Sequence, residues 1–324
     1  MKRLNKLKEK ILITGAAGFI GYHLSKSYLD DGFKVLGIDN INNYYDIKLK
    51  NDRLKILNKY NTFFFNKLDI SNKNLLKEIF ENFKPTKVIN LAAQAGVRYS
   101  IQNPYAYMKS NLEGFLNIIE LCRHNNVNGF IYASSSSVYG ANKKMPFSIN
   151  DRVNKPIALY AATKRANELI ARSYSHLYGL HTTGLRYFTV YGPWGRPDMA
   201  MYIFTKKILN NEPISVFNHG DMKRDFTYID DIIAGTYAAI DKNYKCEIFN
   251  LGNQKSEKLM DMIQLIENEL DKKALINFKP MQPGDVKESY AEIDYSTEKL
   301  DYLPKTSIES GIPKFVNWYK KYYA

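Results

Sequence analysis

Cysteine and long apolar segments are the two features that this sequence of 324 residues largely lacks. Its two cysteines, Cys122 and Cys246, stand far apart without CxxC or histidine-rich surroundings. This excludes a disulfide scaffold or a cysteine zinc site, predicts no metal site, and favours a reducing, cytoplasmic compartment. No apolar run approaches the ~20 residues of a membrane span. The basic N-terminus runs into a short strand-like segment rather than the apolar core of a signal peptide, so neither a membrane nor a signal sequence is expected.

The charge is strongly positive but evenly spread. Lys and Arg number 46 against 33 Asp and Glu, which gives a net charge of +13. The longest basic runs are pairs, and no nucleic-acid motif accompanies them. An abundance of Lys throughout explains this charge without a nucleic-acid partner, and we expect none; a small polyanionic ligand is compatible with it. Hydrophobic residues make up 45% of the chain, enough for a sizeable core.

The first half of the chain alternates short apolar runs with amphipathic stretches, which predicts an α/β fold with a doubly wound parallel sheet. The predicted strands are Lys10–Thr14, Lys34–Ile38, Thr62–Asn66, Lys87–Leu91, Gly129–Ala133, His181–Leu185 and Glu247–Asn250. The predicted helices are Gly18–Asp30, Asn72–Asn82, Pro104–His124, Ile157–Tyr178 and Asp230–Asp241. After Arg186 the pattern becomes irregular, which indicates a smaller C-terminal α/β domain.

A glycine-rich turn follows the first strand. Gly15, Gly18 and Gly21 precede a helix, where glycines permit a tight turn and close approach of a pyrophosphate to the helix N-terminus. Asp39 ends the next strand, where a carboxylate accepts hydrogen bonds from an adenosine ribose and repels a 2′-phosphate. The turn therefore predicts a Rossmann domain that binds NAD rather than NADP. In the alternative interpretation, Asp39 is only a turn residue.

A second motif indicates acid–base chemistry. Tyr160 and Lys164 lie at i and i+4, on one face of a predicted helix. A phenol of pKa ~10 is a poor base at neutral pH, but a nearby ammonium and the positive nicotinamide favour its phenolate. Ser135 follows a predicted strand at the edge where an open α/β sheet binds ligands. We interpret these three as catalytic, with Ser135 shared between Tyr160 and the substrate. Alternatively, the pair is a surface contact and the serines are a turn.

These residues resemble the extended short-chain dehydrogenase/reductase superfamily, in its nucleotide-sugar branch, and most of all the bacterial UDP-glucuronate 4-epimerases. The resemblance spans nearly the whole chain. It is carried by TGAAGFIG (14–21), DNINNYYD (39–46), LAAQAGVRYS (91–100), SSSSVYG (134–140), YAATK (160–164), LRYFTVYGPWGRPDMA (185–200), FNHGDMKRDFTYIDD (217–231) and MQPGD (281–285).

The resemblance implies a reaction in which NAD stays bound. Tyr160 takes the proton of the sugar's 4-hydroxyl while hydride passes from carbon 4 to the nicotinamide. The 4-keto sugar then turns about its link to UDP and is reduced from the opposite face. Lys164 would hold the nicotinamide ribose and lower the pKa of Tyr160.

The resemblance also implies the binding residues. The NAD site would be lined by Gly15, Gly18, Phe19, Ile20, Gly21, Asp39, Asn40, Asp69, Ile70, Leu91, Ala92, Ala93, Gln94, Asn111, Tyr160, Lys164 and Phe188. The UDP-sugar would be bound by Arg98, Ser136, Ser137, Thr189, Arg196, Arg224, Gln282 and Asp285. Arg196 and Arg224 match positions near UDP, and Ser136, Ser137 and Thr189 match positions near a substrate carboxylate. The alternatives are structural: Asp69 caps a helix, Arg224 pairs with Asp225, and Gln94 satisfies backbone groups.

Two differences between this chain and other members of the superfamily limit the choice of substrate. Sugar dehydratases carry Asp-Glu where this chain has Ser136-Ser137, and decarboxylases of UDP-glucuronate usually carry Glu at Ser137. Galactose-type epimerases carry Arg where Gln282 stands. The pattern favours UDP-glucuronate and UDP-galacturonate over the alternatives, which are another UDP-hexose (UDP-N-acetylglucosamine or UDP-glucose) or a non-catalytic NAD-binding scaffold. We expect an isomerase that serves polysaccharide biosynthesis.

The domain division follows from the same pattern. Residues 1–189 would form the NAD-binding Rossmann domain, to which 228–255 return, and 190–227 with 256–324 would form the UDP-sugar domain. The superfamily also implies a homodimer through helices Pro104–His124 and Ile157–Tyr178, although a monomer's core would equally explain their apolar faces.

Overall fold

The computed structural model describes residues 9–282 and 284–323. The basic N-terminal residues 1–8, Pro283 of the MQPGD segment and the last residue of the predicted sugar domain, Ala324, lie outside this description. Along the described chain no helix is both long and apolar enough to cross a membrane.

A seven-stranded parallel sheet forms the centre of the molecule, in the order β11-β6-β5-β4-β1-β2-β3. This confirms the predicted doubly wound α/β fold, because all seven predicted strands join the sheet. Its strands are β1 (Lys10–Thr14), β2 (Lys34–Asp39), β3 (Phe63–Lys67), β4 (Lys87–Asn90), β5 (Gly129–Ser135), β6 (Thr182–Tyr187) and β11 (Cys246–Leu251).

Helices cover both faces of this sheet. Alternate residues of β1 show this: Ile11 and Ile13 belong to one apolar cluster, and Leu12 belongs to the cluster on the other side. The helices of this part are α1 (Phe19–Asp30), α2 (Ile47–Leu57), α3 (Lys73–Phe83), α4 (Tyr99–Gln102), α5 (Pro104–Tyr107), α6 (Gly114–His124), α7 (Leu159–Tyr178) and α9 (Ile229–Lys242).

Smaller sheets and three helices build the remainder. The strands are β7 (Thr189–Tyr191), β8 (Ile214–Phe217), β9 (Lys223–Arg224), β10 (Phe226–Tyr228), β12 (Glu257–Lys258), β13 (Ile276–Lys279) and β14 (Glu288–Ser289). The helices are α8 (Ala200–Leu209), α10 (Leu259–Leu270) and α12 (Ile308–Tyr323), while α11 (Asp294–Leu300) packs beside β11. The return of β11 to the main sheet is observed, whereas the domain boundaries at 189/190, 227/228 and 255/256 stay a prediction.

The helices of this part differ from the prediction in several places. The single helix predicted over Pro104–His124 is interrupted by a π-helical segment, Met108–Glu113. That segment turns Asn111 toward the backbone of Gln94, and such bulges are frequent at functional sites. Helix α7 begins at Leu159 rather than Ile157, because Ala158 is extended. Helix α2 was not predicted, since Lys, Asn and Asp interrupt its apolar pattern.

Candidate active site

The carboxyl ends of the central strands open into one cavity of about 710 Å³. Asp39 ends β2, Ser135 ends β5 and Tyr187 ends β6, and all three line it. This is the edge at which open parallel sheets bind ligands, and the volume suits a large one. The cavity brings together every binding residue predicted from the sequence except Asn111 and Gln282.

The glycine-rich turn forms one end of this cavity, through Gly15, Gly18, Phe19, Ile20 and Gly21. Gly15 has φ of +72°, and a Cβ placed there would lie 2.8 Å from the backbone nitrogen of Ala92. Only glycine therefore allows β1 to turn this tightly against the end of β4. Helix α1 begins directly after the turn and directs its unpaired N–H groups toward the cavity.

Asp39 accepts a hydrogen bond from the same glycine-rich turn. Its carboxylate accepts hydrogen bonds from the backbone N–H of Ala17 (3.1 Å) and of Ile41 (2.9 Å). Burial raises the pKa of Asp39, and the bond from Ile41 and the charge of Lys50 oppose this rise. Glycines that leave room for a pyrophosphate and a carboxylate beside them suit the two halves of an adenosine diphosphate group. The residues present thus fit NAD.

The other residues predicted to bind the cofactor follow the ends of β2, β3, β4 and β6. Asn40 donates to Asp69 (3.1 Å), and Asp69 accepts from the backbone and hydroxyl of Ser71 (3.0 and 2.8 Å). Asn72, and not Asp69, caps helix α3, so the capping alternative is wrong. The other members at this end of the cavity are Ile70, Leu91, Ala92, Ala93, Gln94 and Phe188.

Asn111 lies behind the cavity wall. It is 2% exposed, and its side chain accepts from the backbone N–H of Gln94 (2.8 Å) and donates to the Gln94 carbonyl (3.0 Å). Its second donor bond goes to the hydroxyl of Thr163 on helix α7 (3.1 Å). Asn111 therefore shapes the loop after β4 rather than lining the cavity.

Sequence reasoning missed several lining residues. Tyr44 and Tyr45 from the loop after β2, Lys50 of helix α2, and Asp198 all line the cavity. Lys50 is 4% exposed, donates to the Asn42 carbonyl (2.7 Å) and lies 4.4 Å from the centre of the Tyr45 ring. Burial lowers the pKa of Lys50, and the charge of Asp39 opposes this. The DNINNYYD segment carried the resemblance, but nothing in its letters indicated which side chains turn inward.

The three predicted catalytic residues meet where β5 ends and α7 begins. Tyr160 lies in the first turn of α7, and Ser135 is close enough for its hydroxyl to lower the pKa of the phenol. Lys164 lies one turn further and donates to the Ala133 carbonyl (2.8 Å). Its Nζ atom is 6.0 Å from the centre of the Tyr160 ring.

Burial raises the pKa of Tyr160, while the charge of Arg196 and the hydroxyl of Ser135 lower it. Burial lowers the pKa of Lys164 to about 8, and its effect on the pKa of Tyr160 stays a prediction. Without the cofactor's positive charge, the phenol therefore stays protonated at neutral pH.

Three further hydroxyl groups line the cavity that contains Tyr160. They belong to Ser136, Ser137 and Thr189. The backbone N–H of Ser137 donates to the Ser135 hydroxyl (3.2 Å). The Ser137 hydroxyl oxygen is buried and has no hydrogen-bond partner among residues 9–282 and 284–323.

A cluster of charged residues lies near the paired strands β9 and β14. Arg224 donates to Asp285 (2.6 Å) rather than to Asp225, so the alternative pairing was wrong. Arg98 is close enough for its charge to lower the pKa of Arg224, after the larger effect of burial. Arg98, Arg224 and Asp285 line the cavity, whereas Gln282 does not. Guanidinium groups here suit a diphosphate.

Two side chains attach the GPWGRPD loop (192–198) to the first helices. Arg53 of α2 is fully buried and donates to the carbonyls of Trp194 (2.5 Å), Gly195 (3.2 Å) and Ala17 (2.8 Å). His23 of α1 contacts the Pro193 carbonyl through Nε2 at 2.9 Å. The turn at Ala17 and the loop that carries Arg196 are therefore held by one guanidinium.

The imidazole of His23 makes stability depend on pH. Burial lowers the pKa of His23 from 6.5 to about 4. Between those values the unfolded chain binds a proton that the folded chain does not, so stability is lost as pH falls through this window. The loss should be at most about 3 kcal/mol. Urea unfolding at pH 6.5 and pH 4 should show it in the native chain and a correspondingly smaller loss in His23→Gln. Equal losses in both proteins would contradict this assignment.

The fold and the residues of this cavity define an NAD-binding enzyme of the doubly wound class. Residues 11–252 match the NAD dependent epimerase/dehydratase family, and the chain belongs to this family.

Individual relatives cover nearly the whole chain. Protein CapI of Staphylococcus aureus is 51% identical over 97% of this chain and 99% of its own. UDP-glucuronate 4-epimerase 4 of Arabidopsis thaliana is 46% identical over 97% of this chain and 76% of its own. The crystal structure of UDP-glucuronic acid 4-epimerase from Bacillus cereus, in complex with UDP-glucuronic acid and NAD, has a TM-score of 0.92. It is 35% identical and covers 97% of this chain and 100% of the other.

Proposed function

We propose that this protein is an NAD-dependent 4-epimerase that interconverts UDP-glucuronate and UDP-galacturonate. The observation that carries the proposal is that one cavity holds the glycine-rich turn, the predicted catalytic residues Tyr160, Lys164 and Ser135, and three further hydroxyl groups. These hydroxyls belong to Ser136, Ser137 and Thr189. They support a sugar whose polar substituent lies next to the carbon that reacts. The similarity to UDP-glucuronate 4-epimerases supports the same substrate.

Each catalytic residue has one task. Tyr160 accepts the proton of the 4-hydroxyl when the 4-keto sugar forms, and gives it back to the same oxygen after the sugar has turned over. Ser135 lines the cavity close enough to the phenol to bond both to it and to that hydroxyl. Bound NAD would supply the hydride chemistry, taking the hydride of carbon 4 and returning it to the opposite face of the sugar. Lys164, fixed on the Ala133 carbonyl, is available to the ribose. Arg98 and Arg224 hold the diphosphate while the sugar turns.

The carboxylate of the uronate must be held in a fixed orientation so that it is not lost during the reaction. Oxidation at carbon 4 gives a β-keto acid, which loses carbon dioxide readily when the breaking bond aligns with the ketone. Ser136, Ser137 and Thr189 offer neutral hydroxyls and no acid. They can hold the carboxylate out of alignment without assisting its departure.

The direct test is incubation of the purified protein with UDP-glucuronate without added NAD, followed by NMR of the nucleotide sugars. UDP-galacturonate is the expected product. Conversion of UDP-glucose or UDP-N-acetylglucosamine alone would overturn the substrate assignment. No conversion of any UDP-sugar, even with added NAD, would favour a non-catalytic scaffold.

Placing an acid among the hydroxyls should change the product. Ser137→Glu is expected to release carbon dioxide and a UDP-4-keto-pentose, because an added carboxyl group can assist decarboxylation. Ser137→Gln, of equal size and without charge, should lower epimerisation and release none. Labelled carbon dioxide from a [6-13C] substrate measures the difference. An unchanged product mixture in Ser137→Glu would count against the role of these hydroxyls.

We also propose a homodimer. Helices α6 and α7 are neighbours and expose Leu116 (43%), Leu169 (51%) and Leu177 (65%). Exposed apolar residues on adjacent helices support a protein partner, here a second copy. Light scattering should give twice the mass of one chain, and Leu169→Glu should shift it toward one chain. Leu303→Glu, equally exposed on a loop, is the control. A single-chain mass for the unaltered protein would exclude the dimer.

The cellular setting is proposed on similar grounds. Cys122 and Cys246 are both free thiols, which supports a reducing cytoplasm. The uronate product supports a role in polysaccharide biosynthesis.

A further inference from the structure

Arg53 is a buried cation that bonds only to neutral groups in the described chain. It lies on helix α2 and is fully buried. Its four hydrogen bonds go to three backbone carbonyls and to the hydroxyl of Tyr45 (2.8 Å). A buried cation costs free energy, but its planar group of five donors can bond to several segments at once. The position of these acceptors shows what Arg53 joins.

One side of the guanidinium holds the glycine-rich turn. The Nη1 atom of Arg53 donates to the carbonyl of Ala17 at 2.8 Å. The N–H of the same Ala17 donates to the carboxylate of Asp39 at 3.1 Å. Ala17 therefore lies between Arg53 and the end of the cavity whose residues fit NAD. A cofactor seated on this turn would restrain the carbonyl that Arg53 holds.

The other side of the guanidinium holds the 192–198 loop. The Nη2 atom of Arg53 donates to the carbonyls of Trp194 (2.5 Å) and Gly195 (3.2 Å). Trp194 has φ of +62°, a left-handed conformation that a bulky residue keeps only when contacts from other segments hold it. The next residues of the loop, Arg196 and Asp198, line the cavity. Arg53 therefore helps to set where these two charged groups stand.

Building on the proposed function, we propose that Arg53 is a positioning residue that couples the binding of NAD to the binding of the UDP-sugar. NAD on the glycine-rich turn orders the 192–198 loop through Arg53, and a UDP-sugar against that loop strengthens NAD binding in return. Two ligands that order the same element share the cost of ordering it, and such coupling is reciprocal. Arg53 is not among the residues of the described chain that line the cavity, so it acts through Ala17, Trp194 and Gly195.

The dissociation constant of NAD, measured by equilibrium dialysis with and without saturating UDP-glucuronate, tests this coupling. All chains carry Tyr160→Phe, so that hydride transfer does not alter the cofactor during the measurement, and the chain with this change alone is the parent. In the parent, UDP-glucuronate should tighten NAD binding by about fivefold or more, as is typical of coupled sites. In Arg53→Gln it should change the constant by less than about twofold, because the turn and the loop are no longer joined.

Two further variants separate the bridge from charge and from general instability. Arg53→Lys keeps the charge but not the planar group that reaches both segments, so it should also lose most of the coupling. Leu300→Ala removes a buried side chain of helix α11 outside the cavity and should keep the coupling while it lowers stability. Full coupling in Arg53→Lys, or an equal loss in Leu300→Ala, would overturn the proposal.

Tryptophan emission reports on the loop itself. The chain has two tryptophans, Trp194 of the loop and Trp318 of helix α12, with ring centres 5.4 Å apart. NAD should shift the emission maximum of the parent but not that of Arg53→Gln, whereas UDP-glucuronate should shift both. The same response to NAD in both chains, or a parent whose affinity for NAD ignores bound UDP-glucuronate, would overturn the proposal. A parent that binds NAD but no UDP-sugar would refute the proposed function, and this inference with it.

Discussion

Replacing Tyr160 by Phe is expected to lower kcat for epimerisation by about 10²- to 10⁴-fold, the usual contribution of a positioned acid–base group. The phenol oxygen is the only part removed, and the ring keeps its edge-to-face contact with Tyr107. The loss should therefore appear in kcat, with retained cofactor and thermal midpoint nearly unchanged. Initial rates by NMR and the NAD content of the purified protein measure both effects.

Tyr107→Phe is the matched control for this experiment. Tyr107 is fully buried, and its hydroxyl donates to the backbone carbonyls of Ala95 and Gly96. Its loss should cost some stability and little of kcat. If Tyr160→Phe kept more than about a tenth of the rate, Tyr160 would not be the group that transfers the proton.

Gly21→Ala is expected to cost the protein its retained NAD. Gly21 lies in the first turn of α1, where alanine would ordinarily favour a helix. Here a Cβ would overlap the carbonyl of Gly15, so the glycine-rich turn must move away from the helix. Overpacking of this kind costs about 1–3 kcal/mol, and a displaced turn should weaken NAD binding by about tenfold or more. NAD content and a binding titration measure the loss.

Gly32→Ala provides the control for alanine itself. Gly32 has φ of +83°, and a Cβ there meets nothing within 4 Å. It should cost about 1–2 kcal/mol of stability through its backbone conformation while NAD retention stays normal. Equal loss of NAD in both variants would mean that the contact between Gly21 and Gly15 is not what preserves the cofactor site.

The order of the elements could be predicted because it depends on local patterns. Buried parallel strands are short apolar runs, and each of the seven was recognisable by that feature alone. The glycine-rich turn and the Tyr160–Lys164 spacing are also local, so both motifs were found before their surroundings were known. The ends of the predicted helices and strands differ from the observed ends by one or two residues, because the ends of an element depend on its neighbours.

The sequence by itself determined the fold class and the family, and it predicted the residues for proton transfer and cofactor binding. Tertiary structure alone decided which charges act on them. Arg53 and Trp194 are 141 residues apart in sequence, yet their contact attaches the loop from which Arg196 and Asp198 reach the cavity. Lys164, one helical turn after Tyr160, donates to the carbonyl of Ala133 on a neighbouring strand. The pKa of Tyr160 depends on burial and on distances between groups, and neither is set by spacing along the chain.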